Sequence, residues 1–372
     1  MALPIWLFVV ASVIKSAIVL GILLTAVAYT VWLERKVVGH MQNRWGPTRV
    51  GPFGLLQPAA DGIKFLFKED LTPPHVYKPL YIAAPLIAVI FALASIAVIP
   101  FGNSFTFGPL TVPQFLWPFW PFHLEMPFHW GGAVIGPCSI PLQVTDVNTG
   151  LLLILGVTSI GVYGVALAGW SSNNKYSLLG GLRASAQMVS YEISLGLSLV
   201  GVLILAGSFS LRDIVNAQGG HFWGFIPHWN IFVQPIGFFC YLMAAYAETN
   251  RIPFDLPEAE TELVAGYHTE YSAMKFAMFF MAEYANMITV ACLATLLFFG
   301  GWHGPIFGPP ILQALLPVFW FAAKIFAFLF LYIWVRGTLP RFRYDQLMAF
   351  GWKFLLPLAL VNLIGTAIAV AW

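Results

Sequence analysis

Two glutamates interrupt long apolar stretches of the chain. Glu192 lies nine residues after Arg183, and Glu283 lies eight residues after Lys275. If each stretch is a helix, the rise of 1.5 Å per residue places both carboxylates about 12–14 Å beyond the charged edge. A carboxylate so deep in a bilayer costs a few kcal/mol, and its default interpretation is functional. The alternative is a neutral acid that hydrogen-bonds to a neighbouring helix.

A second group of acids lies in the segment 247–275. Asp255 and Glu258 form a capping-box pattern at the start of a predicted helix, and Glu262 lies on the same helical face. Neighbouring carboxylates titrate as a coupled set, which suits proton carriers. The helix cap accounts for Asp255 and Glu258 and extends at most to Glu260, so Glu248, Glu262 and Glu270 need another explanation. The segment holds one arginine and six carboxylates: Glu248, Asp255, Glu258, Glu260, Glu262 and Glu270.

The segment 32–70 carries a short amphipathic pattern. Glycines and prolines around 46–54 predict a loop. From 55 to 67 apolar residues recur at helical spacing, with Asp61, Lys64 and Lys68 on the other side. The pattern predicts a helix lying in the membrane interface. Such a helix is either a plain anchor or the floor of a lateral opening, through which an apolar molecule passes from the lipid into a polar chamber.

Several segments predicted to lie on the same side of the membrane carry arginines. They either anchor the chain by the positive-inside rule or face a common chamber, where they orient a polar head group or a partner protein. The arginines concerned are Arg35, Arg44, Arg251, Arg336 and Arg341.

The elements that position these residues are predicted to be membrane-spanning helices. The chain has 372 residues, of which 59% are hydrophobic and 9% charged. Soluble domains carry about 25% charged residues, so the composition excludes a soluble enzyme, a disordered protein and a nucleic-acid binder. We predict an all-α membrane protein that forms a single domain over residues 1–372. Its eight predicted spans are roughly 4–33, 79–100, 148–169, 186–207, 231–248, 275–299, 312–335 and 349–371.

The basic residues predict the orientation. Of the 18 lysines and arginines, only Arg212 lies in one set of connecting segments, and Lys15 and Lys324 lie within spans. The other fifteen lie in the opposite set, which the positive-inside rule places in the cytoplasm, with both termini outside. Lys324 is the only deep base, and it either pairs with a deep acid or snorkels outward. Lys15 lies nearer the outer edge, where snorkelling is favoured.

The outer segments predict no metal site. The segment 101–147 is rich in Pro, Phe and Trp and is interpreted as a flap lying on the bilayer. The spacings of the outer histidines fit no helical or finger pattern, and the cysteines are too far apart for a disulfide framework or a cysteine-held cluster. The residues concerned are His123, His129, His221, His228, Cys138, Cys240 and Cys292.

Four segments resemble the quinone-site membrane subunit of respiratory complex I, the proton-pumping NADH:quinone oxidoreductase. They are WLERK with QNRWGPTRVGPFGLLQPAADGIKFLFKED at 32–70, GWSSNNKYSLLGGLRASAQMVSYEI at 169–193, AETNRIPFDLPEAETELVAGYHTEYSAMKF at 247–276 and RGTLPRFRYDQLM at 336–348. DVNTGLLLIL at 146–155 resembles the entrance of the family's third span. The resemblance is specific, because several long strings agree in order and spacing. The segment 101–147 is longer than in the family.

The resemblance implies a membrane subunit with eight spans and no redox cofactor of its own, in a bacterial inner membrane. It implies partners that carry flavin and iron–sulfur clusters, adjacent small membrane subunits, surrounding membrane lipid, and quinone as the substrate. The implied tunnel is framed by the first span, the interfacial helix and the sixth span. Its positions fall on Arg35, Arg44, Asp61, Arg251, Arg336 and Arg341. The implied proton relay falls on Glu192, Glu248, Asp255, Glu258, Glu262, Glu270 and Glu283.

Two other functions remain open at this point. One is the membrane anchor of an ion-pumping hydrogenase or a related dehydrogenase. The acid-rich run 258–262 looks more like complex I than like those anchors. The other is a self-standing proton-coupled transporter, although the sequence shows no internal repeat and no paired broken helices of the kind that such carriers use.

Overall fold

The computed structural model describes residues 5–102, 105–107, 110–112, 133–135, 138–140, 142–222, 226–256, 264–305, 307 and 309–372. The helices of these ranges are α1 (Ile5–Met41), α2 (Gln57–Phe67), α3 (Lys78–Ala94), α4 (Gly150–Ser171), α5 (Lys175–Ala206), α6 (Leu211–Ala217), α7 (Asn230–Val233), α8 (Pro235–Glu248), α9 (Ala273–Phe298), α10 (Pro310–Thr338), α11 (Tyr344–Ala349) and α12 (Leu356–Ala371). A π-helical stretch, Phe350–Leu355, joins α11 to α12.

Seven of the eight predicted spans are confirmed as helices that are long and apolar enough to cross a membrane. They are α1, α3 together with the 3-10 helix that continues it (Ser95–Val98), α4, α5, α9, α10 and the continuous run from α11 to α12. The fifth predicted span, 231–248, is not one continuous helix. Pro235 has no amide hydrogen to bond to the preceding turn, so the helix is interrupted at Gln234. Its main part, α8, has 14 residues and a length of about 21 Å, which is shorter than the roughly 30 Å hydrocarbon core.

The fourth span begins earlier than the sequence predicts. The pair Gly180 and Gly181 is typical of a turn, which would place the start of the span at 186, but α5 runs through both glycines from Lys175. Close packing excludes a side chain at Gly180 and leaves little room for one at Gly181. A Cβ at Gly180 would lie 2.7 Å from the Cα of Gly266, and one at Gly181 would lie 3.1 Å from the Cα of Gly169. Small residues that let helix backbones approach closely are a known device of membrane bundles.

The centre of the bundle is α9. Every residue from Met287 to Phe298 is buried, and α9 packs against α3, α10, α1 and α8. Around it, α3 packs on α4, α4 on α5, and α5 on α8 and α12. Glu283 and Tyr284 lie one turn before this fully buried stretch, so their side chains belong to the interior of the bundle.

The amphipathic helix predicted in 55–67 is confirmed as α2, which begins two residues later than predicted. It contacts α1 and α9. Its apolar side chains Ile63, Leu66 and Phe67 are exposed in the isolated chain, as expected for a helix that lies on a membrane or against a partner.

The all-α prediction is confirmed, and the strands among the described residues have only two or three residues each. Short antiparallel ladders occur in the segment 101–147, where the sequence predicts only a flap. Phe105–Phe107 (β1) pairs with Cys138–Ile140 (β4), and Leu110–Val112 (β2) pairs with Ala133–Ile135 (β3). A further two-residue pair joins His221–Phe222 (β5) to Ile226–Pro227 (β6). Most of the remaining segment 101–147, with His123 and His129, lies outside the described residues.

Candidate functional site

A buried arginine forms the centre of an ionic cluster at the end of the bundle where α1, α8 and α10 finish and α9 begins. Arg251 follows α8, and its side chain is 7% exposed. Its Nε lies 2.6 Å from Oε1 of Glu283 on α9, and its Nη1 lies 3.4 Å from Oε2 of Glu34 on α1. The guanidinium also stacks over the ring of Tyr284 at 4.2 Å. Two carboxylates and an aromatic ring therefore compensate the burial of this cation.

Glu34 joins three elements of the cluster. Its carboxylate pairs with Arg336 of α10 and with Arg251, and it accepts a hydrogen bond of 2.8 Å from the hydroxyl of Tyr284. A charge-assisted network of this kind fixes the relative position of α1, α9 and α10.

Glu34 is the site residue that the sequence predictions missed. It lies in the WLERK motif, but neither the tunnel residues nor the relay residues included it. The helical spacing of α1 contains a signal that Glu34 is buried. Leu23, Val27 and Thr30 are buried on one face of α1, and Glu34 continues that face at the next helical step.

Asp255 and Arg341 complete the cluster. Nη2 of Arg341 lies 3.0 Å from Oδ2 of Asp255, with side chains 32% and 11% exposed. Burial raises the pKa of the Asp255 carboxyl, and the guanidinium of Arg341 opposes that shift. Counted as ionised groups, the three acids Glu34, Glu283 and Asp255 balance the three arginines. The cluster is therefore formally neutral, as a low-dielectric site requires.

Two further acids, Glu192 and Glu248, lie close together within the bundle. Glu192 of α5 accepts a hydrogen bond from the hydroxyl of Ser159 of α4. Glu248, the last residue of α8, is hydrogen-bonded to the hydroxyl of Thr158, and its carboxylate lies close enough to Glu192 for the two charges to interact. Adjacent serine and threonine hydroxyls on one helix thus hold two carboxylates that belong to different helices.

Gln187 connects this pair to the ionic cluster. It is fully buried on α5, five residues before Glu192. Its amide nitrogen donates to the carbonyl oxygens of Ala247 and Phe254, each at 2.8 Å. These two carbonyls flank residues 248–253, so one side chain of α5 fixes the segment that carries Glu248 and Arg251 and that ends next to Asp255.

Of the remaining predicted relay acids, the structure describes Glu270. Glu270 lies apart, where Asn174 donates to its carboxylate at 2.7 Å and His75 approaches to 3.9 Å. Glu258, Glu260 and Glu262, and with them the predicted capping box and acidic face, lie outside the described residues.

Two predicted tunnel arginines lie away from the buried cluster. Arg35 pairs with Asp61 of α2 at 2.7 Å, and Gln57 donates to the same carboxylate at 2.9 Å. Half of the Arg35 side chain is exposed. Arg44 is exposed in the loop after α1 and donates to Gln42 at 2.7 Å. Of the five arginines predicted to share a chamber, the structure brings together Arg251, Arg336 and Arg341.

Lys324 adopts neither of the two predicted arrangements. Its ammonium donates to the carbonyl oxygens of Phe299, Gly301 and His303 at 2.7, 2.9 and 2.7 Å, and it lies 4.7 Å from the ring of Trp229. These carbonyls follow the C-terminus of α9, where a cation is favoured by the helix dipole. Lys324 therefore caps the helix that carries Glu283, at the end of α9 opposite Glu283.

Comparison with known proteins gives consistent matches over the whole chain. Residues 14–367 match the family model described as NADH dehydrogenase. The chain is 68% identical over 369 residues to an H-type subunit of NADH-quinone oxidoreductase from Koribacter versatilis, with 98% of each chain covered. It is 49% identical to the H-type subunit of the same enzyme from Solibacter usitatus, again with 98% of each chain covered. It is also 49% identical to an H-type subunit from Geobacter metallireducens, with 98% and 96% covered.

Proposed function

The chain belongs to the NADH dehydrogenase family as an H-type subunit of NADH-quinone oxidoreductase, and from this premise we propose that its ionic cluster forms the polar end of the quinone chamber. The chain is thus an integral membrane subunit of a redox enzyme complex. The electrons come from iron–sulfur clusters of partner subunits, which also carry the flavin. This chain supplies the binding environment and the path for protons.

The observation that carries this proposal is the neutral cluster around Glu34. It draws charged side chains from α1, α9, α10 and the 249–256 turn into a buried site. Next to Glu34, the Arg35–Asp61 pair links α1 to α2. The first span, the interfacial helix and the sixth span thus meet beside the cluster, which supports quinone entry between them. A buried site with fixed donors and acceptors suits a head group whose oxygens take up protons on reduction.

The proton path is proposed to run through Glu192 and Glu248. Gln187 fixes the segment that bears both Glu248 and Arg251, so a change of charge at the ionic cluster acts directly on the backbone that positions Glu248. The hydroxyls of Ser159 and Thr158 give the pair polar partners inside the membrane. Glu283 belongs to the same proposal as the relay acid that contacts Arg251.

The activity is tested with the intact complex, purified through a tag on this chain. We expect flavin and iron–sulfur subunits to copurify and the preparation to reduce quinone with NADH. Glu34→Gln should lower quinone reduction while NADH oxidation by a hydrophilic artificial acceptor stays intact. The matched control is Glu69→Gln, an exposed acid beyond α2. Copurification of hydrogenase subunits without NADH-dependent quinone reduction would contradict the proposal.

The orientation, with eight spans and both termini outside, is part of the same proposal. It is supported by the one-sided distribution of basic residues. Single cysteines at Asn173 and Asn216, which are both exposed, are placed in a background that lacks the three native cysteines. They should react with an impermeant reagent from opposite sides of the membrane. Reaction of both from one side would refute the orientation.

A further inference from the structure

A long apolar cleft lies between α1, α9 and α10. Its volume is about 740 Å³, and it is lined by side chains such as Ile22, Ile288, Val318 and Phe326. The segment 142–144, which connects α3 to α4, contributes to the lining as well. The cleft is open along one side, where several apolar residues of α1 are exposed.

The cleft extends over nearly the full thickness of a bilayer. Its lining residues on α1 run from Lys15 to Leu33, which corresponds to about 27 Å at 1.5 Å per residue. The hydrocarbon core of a bilayer is roughly 30 Å thick. Leu33 lies at the same end of α1 as the ionic cluster, so Lys15 lies at the opposite boundary of the hydrocarbon.

The charge of the cleft is concentrated at that opposite boundary. Lys15 is the only charged residue among the described residues that line the cleft. Within the described parts of the chain, its ammonium has neither an acidic partner nor a hydrogen-bond acceptor. Gln143, which is 6% exposed, also lines the cleft. An unpaired ammonium beside an apolar slot is complementary to a molecule with an anionic head and a long apolar tail.

The cleft and the proposed quinone site have different linings. The described lining of the cleft includes no residue of α2 and none of the ionic cluster, neither Glu34 nor Arg251 nor Arg336, although it extends to Leu33 next to Glu34. The charge that the cleft offers to a head group is Lys15, at the end of α1 away from the cluster. An anionic head group suits that end, whereas a quinone head group suits the cluster.

We propose that this cleft binds a phospholipid from the leaflet opposite the ionic cluster, with its phosphate at Lys15 and an acyl chain along α1. The bound chain fills the gap between α1 and the α9–α10 pair. Because α1 carries Glu34 and Arg35, the lipid would act as a structural ligand that holds one wall of the quinone site in place. Lipid binding does not depend on the proposed quinone chemistry, whereas the effect on the quinone site rests on the proposed function.

The test uses the intact complex in vesicles that contain a phosphatidylglycerol with a photoactivatable acyl chain. After illumination, labelled peptides are identified by mass spectrometry in the wild type and in the variants Lys15→Met, Lys15→Arg and Ile22→Trp. Lys175→Met, an exposed lysine at the start of α5, is the matched control. We expect labelling of the α1 and α10 peptides in the wild type, Lys15→Arg and Lys175→Met. It should be lost in Lys15→Met, which removes the charge, and in Ile22→Trp, which fills the cleft.

Several outcomes would overturn the proposal. Labelling that persists in Lys15→Met would show that the phosphate does not bind there. Loss of labelling on addition of a short-chain quinone would assign the cleft to the quinone instead. Cross-links from these positions to a neighbouring subunit would show that a protein helix fills the cleft. Absence of label on α1 and α10 in the wild type overturns the proposal even if no variant assembles.

Discussion

The charge balance of the ionic cluster predicts that a second substitution can rescue the assembly defect caused by a first one. Arg251→Met leaves Glu283 without its 2.6 Å partner, in a pair whose side chains are only 7% and 12% exposed. Removing one member of a buried ion pair costs about 3–5 kcal/mol, because the other charge stays buried and unpaired. Domains are stable by only about 5–15 kcal/mol, so this variant should assemble poorly.

The double variant Arg251→Met with Glu283→Gln should assemble better than Arg251→Met alone. It restores neutrality, because Glu34 keeps Arg336 and the hydroxyl of Tyr284 as partners. Replacing a whole buried pair by uncharged groups is often close to neutral. We therefore expect the second substitution to recover at least about 2 kcal/mol, which corresponds to roughly a 30-fold change in an equilibrium constant.

The assay is the amount of assembled complex in membranes, together with its temperature of half-inactivation for NADH oxidation by a hydrophilic acceptor. The matched control is Arg341→Met, whose side chain is 32% exposed and pairs with Asp255. It should cost less, since Arg341 itself is partly exposed and Asp255 keeps the nearby guanidinium groups of Arg336 and Arg251 as compensating charges. If the double variant is as defective as the sum of the two single variants, the charge-balance reasoning is wrong.

Three further predictions address other parts of the structure. Arg35→Ala or Asp61→Ala should slow quinone reduction but leave NADH oxidation by a hydrophilic acceptor nearly intact, because their pair links α1 to α2 beside the cluster; an equal fall in both activities with normal assembly would refute this. Lys324→Met should lower the thermal stability of the complex more than Lys324→Arg, because only the latter keeps a cation at the three carbonyls beyond α9; equal stabilities would show that the cap contributes nothing. Burial lowers the pKa of His268 to about 4, so the unfolded chain takes up a proton at higher pH than the folded chain, and stability should fall as the pH drops from about 6.5 to about 4. His268→Gln should flatten that part of the stability profile measured by thermal inactivation, and an unchanged profile would contradict the assignment.

The sequence predicted the elements of this fold well, because apolar length is a strong signal in membrane proteins. The amphipathic spacing in 55–67 likewise predicted α2. The errors lie where packing overrides local propensity. Gly180 and Gly181 look like helix breakers, yet they lie inside α5. Gly266 approaches too closely for a side chain at Gly180, and Gly169 leaves little room for one at Gly181. Pro235 shortens the fifth span, although the hydropathy around it suggests a full crossing.

The sequence indicated which residues belong to the site but not which acid pairs with which arginine. Arg251, Glu283, Asp255, Arg336 and Arg341 all carry a signal in the sequence, but as two separate sets, whereas the structure pairs acids of one set with arginines of the other. Spacing along one helix cannot show that α1, α9 and α10 converge.

Two side chains were misjudged for the same reason. Glu34 lies directly before the basic residues Arg35 and Lys36, and only the buried face of α1 distinguishes it from a surface acid. Lys324 was expected to pair or to snorkel, but the carbonyl groups that it caps belong to another part of the chain and carry no signal in the sequence.

The most direct test of the account is proton translocation per quinone reduced, measured in vesicles with the intact complex carrying Glu192→Gln or Glu192→Asp. Gln keeps the volume and can still bond with Ser159, but it cannot carry a proton. Asp titrates but is shorter. A proton relay predicts that Glu192→Gln assembles normally and loses pumping, while Glu192→Asp retains more of it. Full pumping in Glu192→Gln, with a larger defect in Glu192→Asp, would show that Glu192 is a hydrogen-bonded structural acid and would contradict the account.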